Sequence, residues 1–352
     1  MNLTEIFISN QKIFEHIDVL SKWKAGESIQ PINVEIHLTE RCNCKCVYCH
    51  YAKSVENMDI KKFARIVKIL ANNGTKSISL SGGGEPSVHK DIAKAIEIIH
   101  GVNLDAAMVT NLIVTPEIYT NHLKYFTWVR ISIDSADAET YKRIRGVNKF
   151  DTVVENIRKI ISIKKTSGAQ TTIGLQSVIC KSNINSIGAQ IFLAAKLDVD
   201  YIQIRPIETM PGDAIPYTIK EYDFITKQVS NTMDHLKMMG SNLQVIFSNK
   251  WELIGPRNTN RFHPFKFCHA YQMIPAIDVR GDMYVCCHQI ERRNGWMCYG
   301  NVFRDKYEDI MANRKVVIEK LDLKTCYLGC RGHNLNTTLE RLNKPSQHRN
   351  FL

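Results

Sequence analysis

Hydrophobic and polar residues alternate in a series of short stretches along the chain, and each stretch is followed by a longer one with helical spacing. Alternation with a period of two predicts half-buried strands, and apolar residues three or four apart predict amphipathic helices. A first helix is expected within residues 4–23. Six strands follow, "INVEIHLT", "SISLSG" (77–82), "DAAMVTN" (105–111), "WVRISID" (128–134), "TTIGLQSVI" (171–179) and "YIQIRPI" (201–207). The helices between them are predicted near 58–71, 88–99, 116–124, 137–144, 150–165 and 184–197.

Strands that alternate with helices in this way are typical of parallel βαβ units. The alternation permits a doubly wound sheet or a barrel, whole or partial, and in both folds the reactive edge is formed by the carboxyl ends of the strands. Unusual residues collect at that edge. The cysteine-rich "TERCNCKCVYCHY" follows the first strand, "GGGEP" follows the second, Asn111 ends the third and "SID" ends the fourth.

The alternation changes after Pro206. A long helix is predicted over 219–239 and a short strand over 243–248, and residues 268–352 then hold six of the eleven cysteines. We therefore expect four regions. They are an N-terminal helical extension (1–32), an α/β domain (33–210), a connecting helix and strand (211–267) and a small cysteine-rich α+β domain (268–352).

Composition narrows the class of protein. The chain has 352 residues, 44% of them hydrophobic and 23% charged, which is ordinary for a globular protein. No apolar run approaches the length of a membrane helix, and acidic residues interrupt the N-terminal apolar pattern, so a signal peptide is not expected. We predict a cytoplasmic protein without a membrane partner. The net charge of +11 is dispersed over short basic runs, which favours a solvated surface over a nucleic-acid partner.

The spacing Cys42-x3-Cys46-x2-Cys49 points to an inorganic centre. Thiolates are soft ligands, and short spacings on one loop let three of them converge. Three ligands leave one iron of a four-iron cluster open to an exchangeable group. Zinc is the alternative, with His50 as a possible fourth ligand. Cys44 is expected to face away from its neighbours in an extended loop and to be a spare thiol.

The glycine-rich stretch "SGGGEP" (81–86) lies on the same edge of the predicted sheet. Glycines let a backbone approach a ligand closely, and Glu85 followed by Pro86 fixes an acceptor at the mouth of the edge. A tight strand-to-helix turn explains the stretch equally well when it is taken alone.

Together the two stretches resemble the radical S-adenosylmethionine (radical SAM) superfamily. Its motif, three cysteines with an aromatic residue before the last, matches Cys42, Cys46, Tyr48 and Cys49, and its "GGEP" matches residues 83–86. The resemblance covers residues 33–207. It implies a partial (β/α)6 TIM-like barrel and a 4Fe–4S cluster whose open iron binds SAM through amino and carboxylate groups. The residues expected to bind SAM are Tyr48, Gly83, Gly84, Glu85, Pro86, Asn111, Ser132, Asp134, Arg145 and Val178.

A second group of cysteines lies in the small domain. Cys268 is followed by a predicted hairpin with Gly281 at its turn, then by Cys286 and, farther on, by Cys326-x3-Cys330. These four thiols would form a closed site, with Cys287 as an alternative to Cys286 and zinc as the alternative to a cluster. The pattern resembles the SPASM and twitch extensions, which hold auxiliary clusters. Because further clustered cysteines are missing, the twitch version with one auxiliary 4Fe–4S cluster fits better.

The resemblance implies reductive cleavage of SAM to a 5′-deoxyadenosyl radical that abstracts hydrogen from a carbon atom. Oxidation follows if the auxiliary cluster accepts an electron, and epimerisation follows if a thiol returns hydrogen. Cys287 is a candidate hydrogen donor, and Cys180 a weaker one. Buried inert thiols are the commonest alternative for Cys180, Cys287 and Cys298. An external one-electron reductant of the flavodoxin or ferredoxin type is expected.

The substrate is expected to be small and polar, of the sugar, aminocyclitol or nucleotide-sugar type. The 32 residues before the first strand are too few for a leader-recognition winged helix. The C-terminal "RNFL" differs from the Gly-Gly tail of the molybdenum-cofactor cyclases. Tyr51, Arg205 and Glu208 lie where a substrate would meet the strand edge. A radical SAM maturase of a ribosomal peptide and a non-enzymatic zinc-binding scaffold are the alternatives.

Overall fold

The structure is a computed structural model that describes residues 12–51, 54–114, 117–209, 213–248, 250–258, 260–291 and 295–344. Its first half is built from repeated strand–helix units. The strands β1–β6 are Asn33–Ile36, Ser77–Leu80, Asp105–Thr110, Phe126–Ser132, Thr172–Ile179 and Tyr201–Pro206. The helices α1–α7 are Ile17–Lys24, Ile60–Asn72, Ile92–Gly101, Glu117–His122, Ala138–Arg145, Phe150–Ser167 and Ile187–Lys196.

The second half adds further elements to both edges of the same sheet. The helices α8–α12 are Ile219–Met238, Lys250–Ile254, Cys287–Glu291, Tyr307–Ile318 and His333–Asn343. The strands β7–β10 are Gln244–Phe247, Ala276–Ile277, Asp282–Tyr284 and Cys298–Asn301.

All strands from β1 to β7 run parallel to their neighbours, in the order of the sequence. On the other side β8 pairs in parallel with β1, and β9 and β10 continue the sheet as antiparallel strands. The sheet does not close, because β7 and β10 remain as its two edges. The predicted fold class is therefore confirmed: a partial TIM-like barrel with a cysteine-rich C-terminal region.

Local sequence patterns predicted these elements well, because each strand and helix has its own hydrophobic period. The expected helix within residues 4–23 is seen as α1 together with a 3-10 turn at Lys12–Glu15, and residues 1–11 lie outside the described part. The predicted start of the helix at 116 and the chain end beyond 344 also lie outside it. The strand β7, predicted in a connecting segment, continues the sheet beside β6.

The two faces of the sheet differ in polarity. Residues that point towards the helices, such as Val34, Ile36, Ile78 and Leu80, are fully buried in the main hydrophobic core. The opposite face, called the polar face here, carries hydrogen-bonding side chains that contact one another across strands. They include Asn33 with Ser77 and Ser79, Arg130 with Tyr201, and Arg205 with Gln176. Polar side chains at so many inward positions are costly in a closed core and are typical of a binding cavity.

The C-terminal region is fixed to the polar face and to the N-terminal segment. Arg331 donates to Glu35 Oε2 at 2.8 Å and to Asn33, so it joins the C-terminal region to β1. The buried Arg314 donates to the backbone oxygens of Ile29 (2.8 Å) and Gln272 (3.2 Å). Within the described residues, no helix has both the length and the hydropathy that crossing a bilayer requires.

Candidate active site at the carboxyl ends of the strands

The loops that follow β1 and β2 are bonded to each other through their backbones. Gly84 N donates to Thr39 O and Glu85 N donates to Arg41 O, both at 2.8 Å. A Cβ atom on Gly84 would lie 2.0 Å from Arg41 O, so a side chain there would force the loops apart. Glycine at this position therefore serves a close approach of two backbones. The cysteine loop and the "GGEP" loop form one unit.

The carboxylate of Glu85 is buried and organises the ends of β2 and β3. Its Oε1 accepts hydrogen bonds from Ser87 Oγ and Thr110 Oγ1, both at 2.6 Å, and its Oε2 accepts from Asn111 N at 2.6 Å. Because both oxygens have partners within the protein, Glu85 acts mainly by positioning the loop. Pro86 is buried at the start of the following 3-10 turn.

The thiols of the cysteine loop differ in exposure. Cys42 and Cys46 are partly buried and Cys49 is exposed, and Cys49 N donates to Cys46 O at 3.1 Å, which closes a turn. The predicted orientation of Cys44 is wrong. Its thiol is buried, is hydrogen bonded with that of Cys46, and accepts from Asn111 Nδ2 at 3.3 Å. Neighbouring side chains alternate in direction only where a chain is extended. Because this loop turns, that alternation does not apply to Cys44.

A buried charged cluster lies beside these thiols. Arg145 Nη2 is 2.7 Å from Asp134 Oδ2, close enough for an ion pair although not aligned for a hydrogen bond, and Arg145 Nη1 donates to Cys46 Sγ at 3.5 Å. The same carboxylate accepts from Tyr48 Oη and, at 2.7 Å, from Val178 N. Asp134 thus connects the cysteine loop, β5 and the end of α5. Since its oxygens have these protein partners, we assign it a positioning role.

The local sequence explains how Arg145 reaches this place. Asp137 caps the N-terminus of α5 by accepting from Thr140 N at 2.8 Å, and Gly146 ends the helix in the left-handed region (φ 72°). Lys45 N donates to Arg145 O at 2.9 Å, so the last turn of the helix lies against the cysteine loop.

These residues suit a SAM-bound iron–sulfur cluster in their chemistry. The hydrogen bond from Cys44 lowers the pKa of the Cys46 thiol, burial opposes this, and Arg145 adds to the lowering, so Cys46 has thiolate character. Arg145 Nε is buried and has no hydrogen-bond partner among the described residues, which leaves a donor for an anionic ligand group. No group of three His, Cys, Asp or Glu side chains in the described part is arranged to hold a single metal ion.

The other predicted SAM-binding residues lie on the same edge. Ser132 ends β4 and is paired in register with Gln176 on β5. Val178, two positions farther along β5, contributes its backbone N–H to Asp134. The contacts of Ser132 with ribose and of Val178 with adenine stay predictions.

A second set of thiols lies in the C-terminal region. Burial raises the pKa of Cys268, Cys286 and Cys330, and in Cys286 and Cys330 the charges of neighbouring members of this set raise it further. The three residues are therefore neighbours, and each of them is partly buried. Asn336 Nδ2 donates to Cys268 Sγ at 3.5 Å. Soft donors gathered in a buried place fit an iron–sulfur cluster.

The hairpin itself forms at the predicted place. Gly281, at φ +85°, makes the turn between β8 and β9, and Cys286 follows β9 after Val285. Cys326 lies near His263, whose side chain interacts with the backbone at Cys326. Cys287 begins α10 and is buried beside Cys286, Glu35 and Glu208, as their charges raise the pKa of its thiol after burial itself. Cys286 is thus a neighbour of Cys268, and Cys287 packs in a small cluster with Ala276, Tyr284 and Ile290.

Sequence reasoning named Glu208 as a residue near the strand edge, but it missed Glu35, Lys250, Tyr327 and Arg331. Glu35 accepts from Arg331, and Glu208 accepts from Lys250 at 2.8 Å. The ring of Tyr327 lies 4.8 Å from that of His288 and 5.6 Å from that of His50. The polar positions Asn33, Glu35 and His37 on one face of β1 were a usable signal. No local pattern identified Lys250, Tyr327 or Arg331.

Comparison with known proteins agrees with this geometry. Residues 36–176 match the Radical SAM superfamily. A probable GTP 3′,8-cyclase of Pyrococcus horikoshii is 34% identical over 132 residues, covering 36% of this chain and 42% of the relative. A GTP 3′,8-cyclase of Haemophilus influenzae is 28% identical over 186 residues, covering 50% and 53%. The chain thus spans about half the length of the curated relatives it matches.

Solved structures share the fold over more of the chain. Streptococcus suis SuiB bound to the precursor peptide SuiA superposes with a TM-score of 0.65 at 17% identity, covering 86% of this chain and 68% of SuiB. The protein anSMEcpe with bound AdoMet superposes with a TM-score of 0.62 at 17% identity, covering 87% and 85%.

A partial parallel barrel with three thiols and a glycine-rich loop at its carboxyl edge defines a protein of the SAM-dependent, iron–sulfur class. Residues 36–176 of the chain form a domain that matches the Radical SAM superfamily. Members of this superfamily use a 4Fe–4S cluster and SAM and need an external reductant. The cysteines of the C-terminal region fit an auxiliary cluster.

Proposed function

We propose that this chain abstracts hydrogen from a carbon atom of a small polar substrate of the sugar, aminocyclitol or nucleotide-sugar type, and that the product is an oxidised or an epimerised form. When bound, the first cluster and SAM supply the 5′-deoxyadenosyl radical that performs the abstraction. The proposal rests on the family assignment and on the chemistry of the polar face.

In this proposal the residues of the site bind the two clusters and SAM. Cys42, Cys46 and Cys49 would hold the first cluster. The backbone at Gly83 and Gly84 would receive the methionyl amino group, and the unpartnered Nε of Arg145 would donate to an anionic group of SAM. Cys268, Cys286, Cys326 and Cys330 would hold the auxiliary cluster. The C-terminal region would cover the site and exclude water.

The observation that supports a small polar substrate is the charged lining between β1 and β6. Arg331 pairs with Glu35 at 2.8 Å on one side, and Arg205 pairs with Glu208 at 2.5 Å on the other. The charges of both carboxylates act on the buried thiol of Cys287. Groups of this kind recognise hydroxyl, amino or acidic substituents in a defined orientation. Curated relatives named GTP 3′,8-cyclase, whose names contain a nucleotide, agree with this class.

A peptide is the second candidate substrate. Its support is the fold shared with SuiB, which was crystallised with the precursor peptide SuiA. The charged lining favours the small substrate. A bulky apolar side chain of a peptide would bury these charged groups without offering them a hydrogen-bond partner.

Anaerobic reconstitution tests the enzyme assignment. If the chain holds two clusters, it should contain about eight iron and about eight sulfide atoms and show a broad absorption band at about 400 nm. Addition of a one-electron reductant and SAM should then release 5′-deoxyadenosine. A colourless protein that holds only zinc would support the zinc scaffold and overturn the proposal. Mass spectrometry of products from panels of sugars, aminocyclitols, nucleotide sugars and peptides then separates the substrate classes.

A further inference from the structure

Three charged side chains meet at the carboxyl end of β6, on the polar face. Glu208 Oε1 accepts from Arg205 Nη2 at 2.5 Å and from Lys250 Nζ at 2.8 Å, and Arg205 Nη1 donates to Gln176 Oε1 at 3.2 Å. We call these four residues the Glu208 network. In the β5–β6 register Arg205 is paired with Val178, whose N–H donates to Asp134. The network therefore lies beside the candidate SAM site.

The network also reaches the C-terminal thiols. A Cβ atom on Gly329 would lie 3.0 Å from Lys250 Cγ, so the stem of Lys250 runs along the turn between Cys326 and Cys330. The charge of Cys330 acts on Lys250, and His288 Nδ1 lies 3.9 Å from Glu208 Oε2. A molecule that contacts this network is thus placed between the two sets of cysteines.

Cations outnumber carboxylates within the Glu208 network. Two cations, Arg205 and Lys250, share the single carboxylate of Glu208. Arg205 Nε is buried and has no hydrogen-bond partner in the described part of the chain. An ammonium has three donors, and the acceptor that Lys250 reaches there is Glu208.

A buried cation without a full set of acceptors is costly unless a ligand completes it. A guanidinium fork beside an ammonium suits planar or tetrahedral oxyanions, because charge-assisted hydrogen bonds to them are short and strong. We propose that Arg205 and Lys250, held in place by Glu208, bind an anionic oxygen group of the substrate, a carboxylate or a phosphate. This inference rests on the proposed function and narrows its substrate to an acidic small molecule.

Calorimetric titration of the anaerobically reconstituted full chain tests the proposal with three probes. Glucuronate carries a carboxylate, glucose 1-phosphate carries a phosphate, and glucose is the neutral control. At least one acidic probe should bind more tightly than glucose, and the probe that does so identifies the source of the charge. Arg205→Gln and Lys250→Gln should each weaken that binding at least about tenfold. Equal binding of all three probes by the wild-type chain would overturn the proposal.

Two further variants distinguish a role of the Glu208 network in anion binding from a role in holding the fold. Arg257→Gln removes an exposed arginine that pairs with Asp223 at 2.6 Å, and it should leave anion binding unchanged. Glu208→Gln keeps an amide oxygen that can still accept from Arg205 and Lys250 and removes the competing negative charge, so anion binding should persist or strengthen. Anion binding lost in Glu208→Gln as in Arg205→Gln would contradict the proposal and indicate that the network only holds the fold. Release of 5′-deoxyadenosine by the wild-type chain in the same preparation tests the proposed function separately.

Discussion

Arg145 and Asp134 form an ion pair of 2.7 Å in which both side chains are almost completely shielded from water. The pair joins the last turn of α5 to the end of β4, and through Tyr48 and Cys46 it joins both to the cysteine loop. A single buried contact therefore fixes three parts of the candidate active site.

Arg145→Met should destabilise the fold strongly. It leaves the Asp134 carboxylate buried without its cation, and such losses cost about 3–5 kcal/mol. The matched control is Arg143→Met on the same helix, where the arginine side chain is about half exposed and lies 3.4 Å from Glu139. The control should cost less than about 1 kcal/mol. Urea unfolding measures both, and equal costs would contradict the assigned role of the buried pair.

Gly84→Ala should separate the two motif loops. The added methyl group would collide with the backbone of Arg41. A backbone atom cannot move aside as the end of a flexible side chain can. We expect a loss of about 1–3 kcal/mol in the free energy of unfolding, together with weaker SAM binding. Gly101→Ala is the control, since no atom lies within 4 Å of its Cβ position. A Gly84→Ala chain that binds SAM as tightly as the wild type would show that the loop contact is dispensable.

The Glu208 network should make stability depend on pH. Burial alone would raise the pKa of the Glu208 carboxyl, but Lys250, His288 and Arg205 hold it well below its usual range. A carboxyl with a depressed pKa in the folded state stabilises the fold above the pKa of the unfolded state, and this contribution is lost as pH falls towards the folded value. Wild-type stability should therefore decline as pH falls below about 4.5.

Glu208→Gln isolates that contribution, because an amide does not titrate. Its free energy of unfolding should change less with pH than that of the wild type over the same acidic range. Urea unfolding at a series of pH values measures the difference. Parallel pH profiles for the two chains would mean that other carboxyl groups control the acid limb.

Cys330→Ala should separate SAM cleavage from product formation. Loss of one auxiliary ligand should lower the iron content from about eight towards about four per chain, while the first cluster still releases 5′-deoxyadenosine. Product from the substrate should be lost. Cys49→Ala should instead abolish SAM cleavage. Cys298→Ala is the control, because that thiol donates to Gly300 O at 3.3 Å and lies outside the proposed ligand set. Normal turnover by Cys330→Ala would show that the auxiliary-site assignment is wrong.

Sequence reasoning predicted the parts of the site that depend on local pattern. Strand order, the three-cysteine motif and the glycine loop are each encoded within a few residues, and parallel topology places successive strand ends at one edge. The contacts between side chains on the polar face could not be predicted from local sequence patterns. Glu35 and Arg331 are 296 residues apart in the chain, and Arg205 and Lys250 meet through Glu208 only after β7 has paired with β6. The orientation of Cys44 failed because the loop turns where an extended chain was assumed.

Cys287 offers the sharpest test between oxidation and epimerisation. Its thiol is buried beside Glu35 and Glu208, and burial followed by those charges raises its pKa, so it keeps its hydrogen at neutral pH. The thiol proton exchanges with solvent, and a thiol that has given a hydrogen atom to a substrate radical is restored by one electron from the external reductant and one proton from solvent. In deuterium oxide, epimerisation through Cys287 should therefore place one deuteron in the product. Oxidation at the same carbon should place none.

Variants decide whether that thiol is Cys287. Cys287→Ala should still release 5′-deoxyadenosine, but it should form no deuterated epimer, as measured by mass spectrometry of the product. Cys180→Ala is the matched control, because Cys180 is another buried thiol at the end of β5. Deuterated product from Cys287→Ala would assign the hydrogen return to another group. An oxidised, deuterium-free product from both variants would instead favour the auxiliary cluster as the electron acceptor and leave Cys287 a role in packing alone.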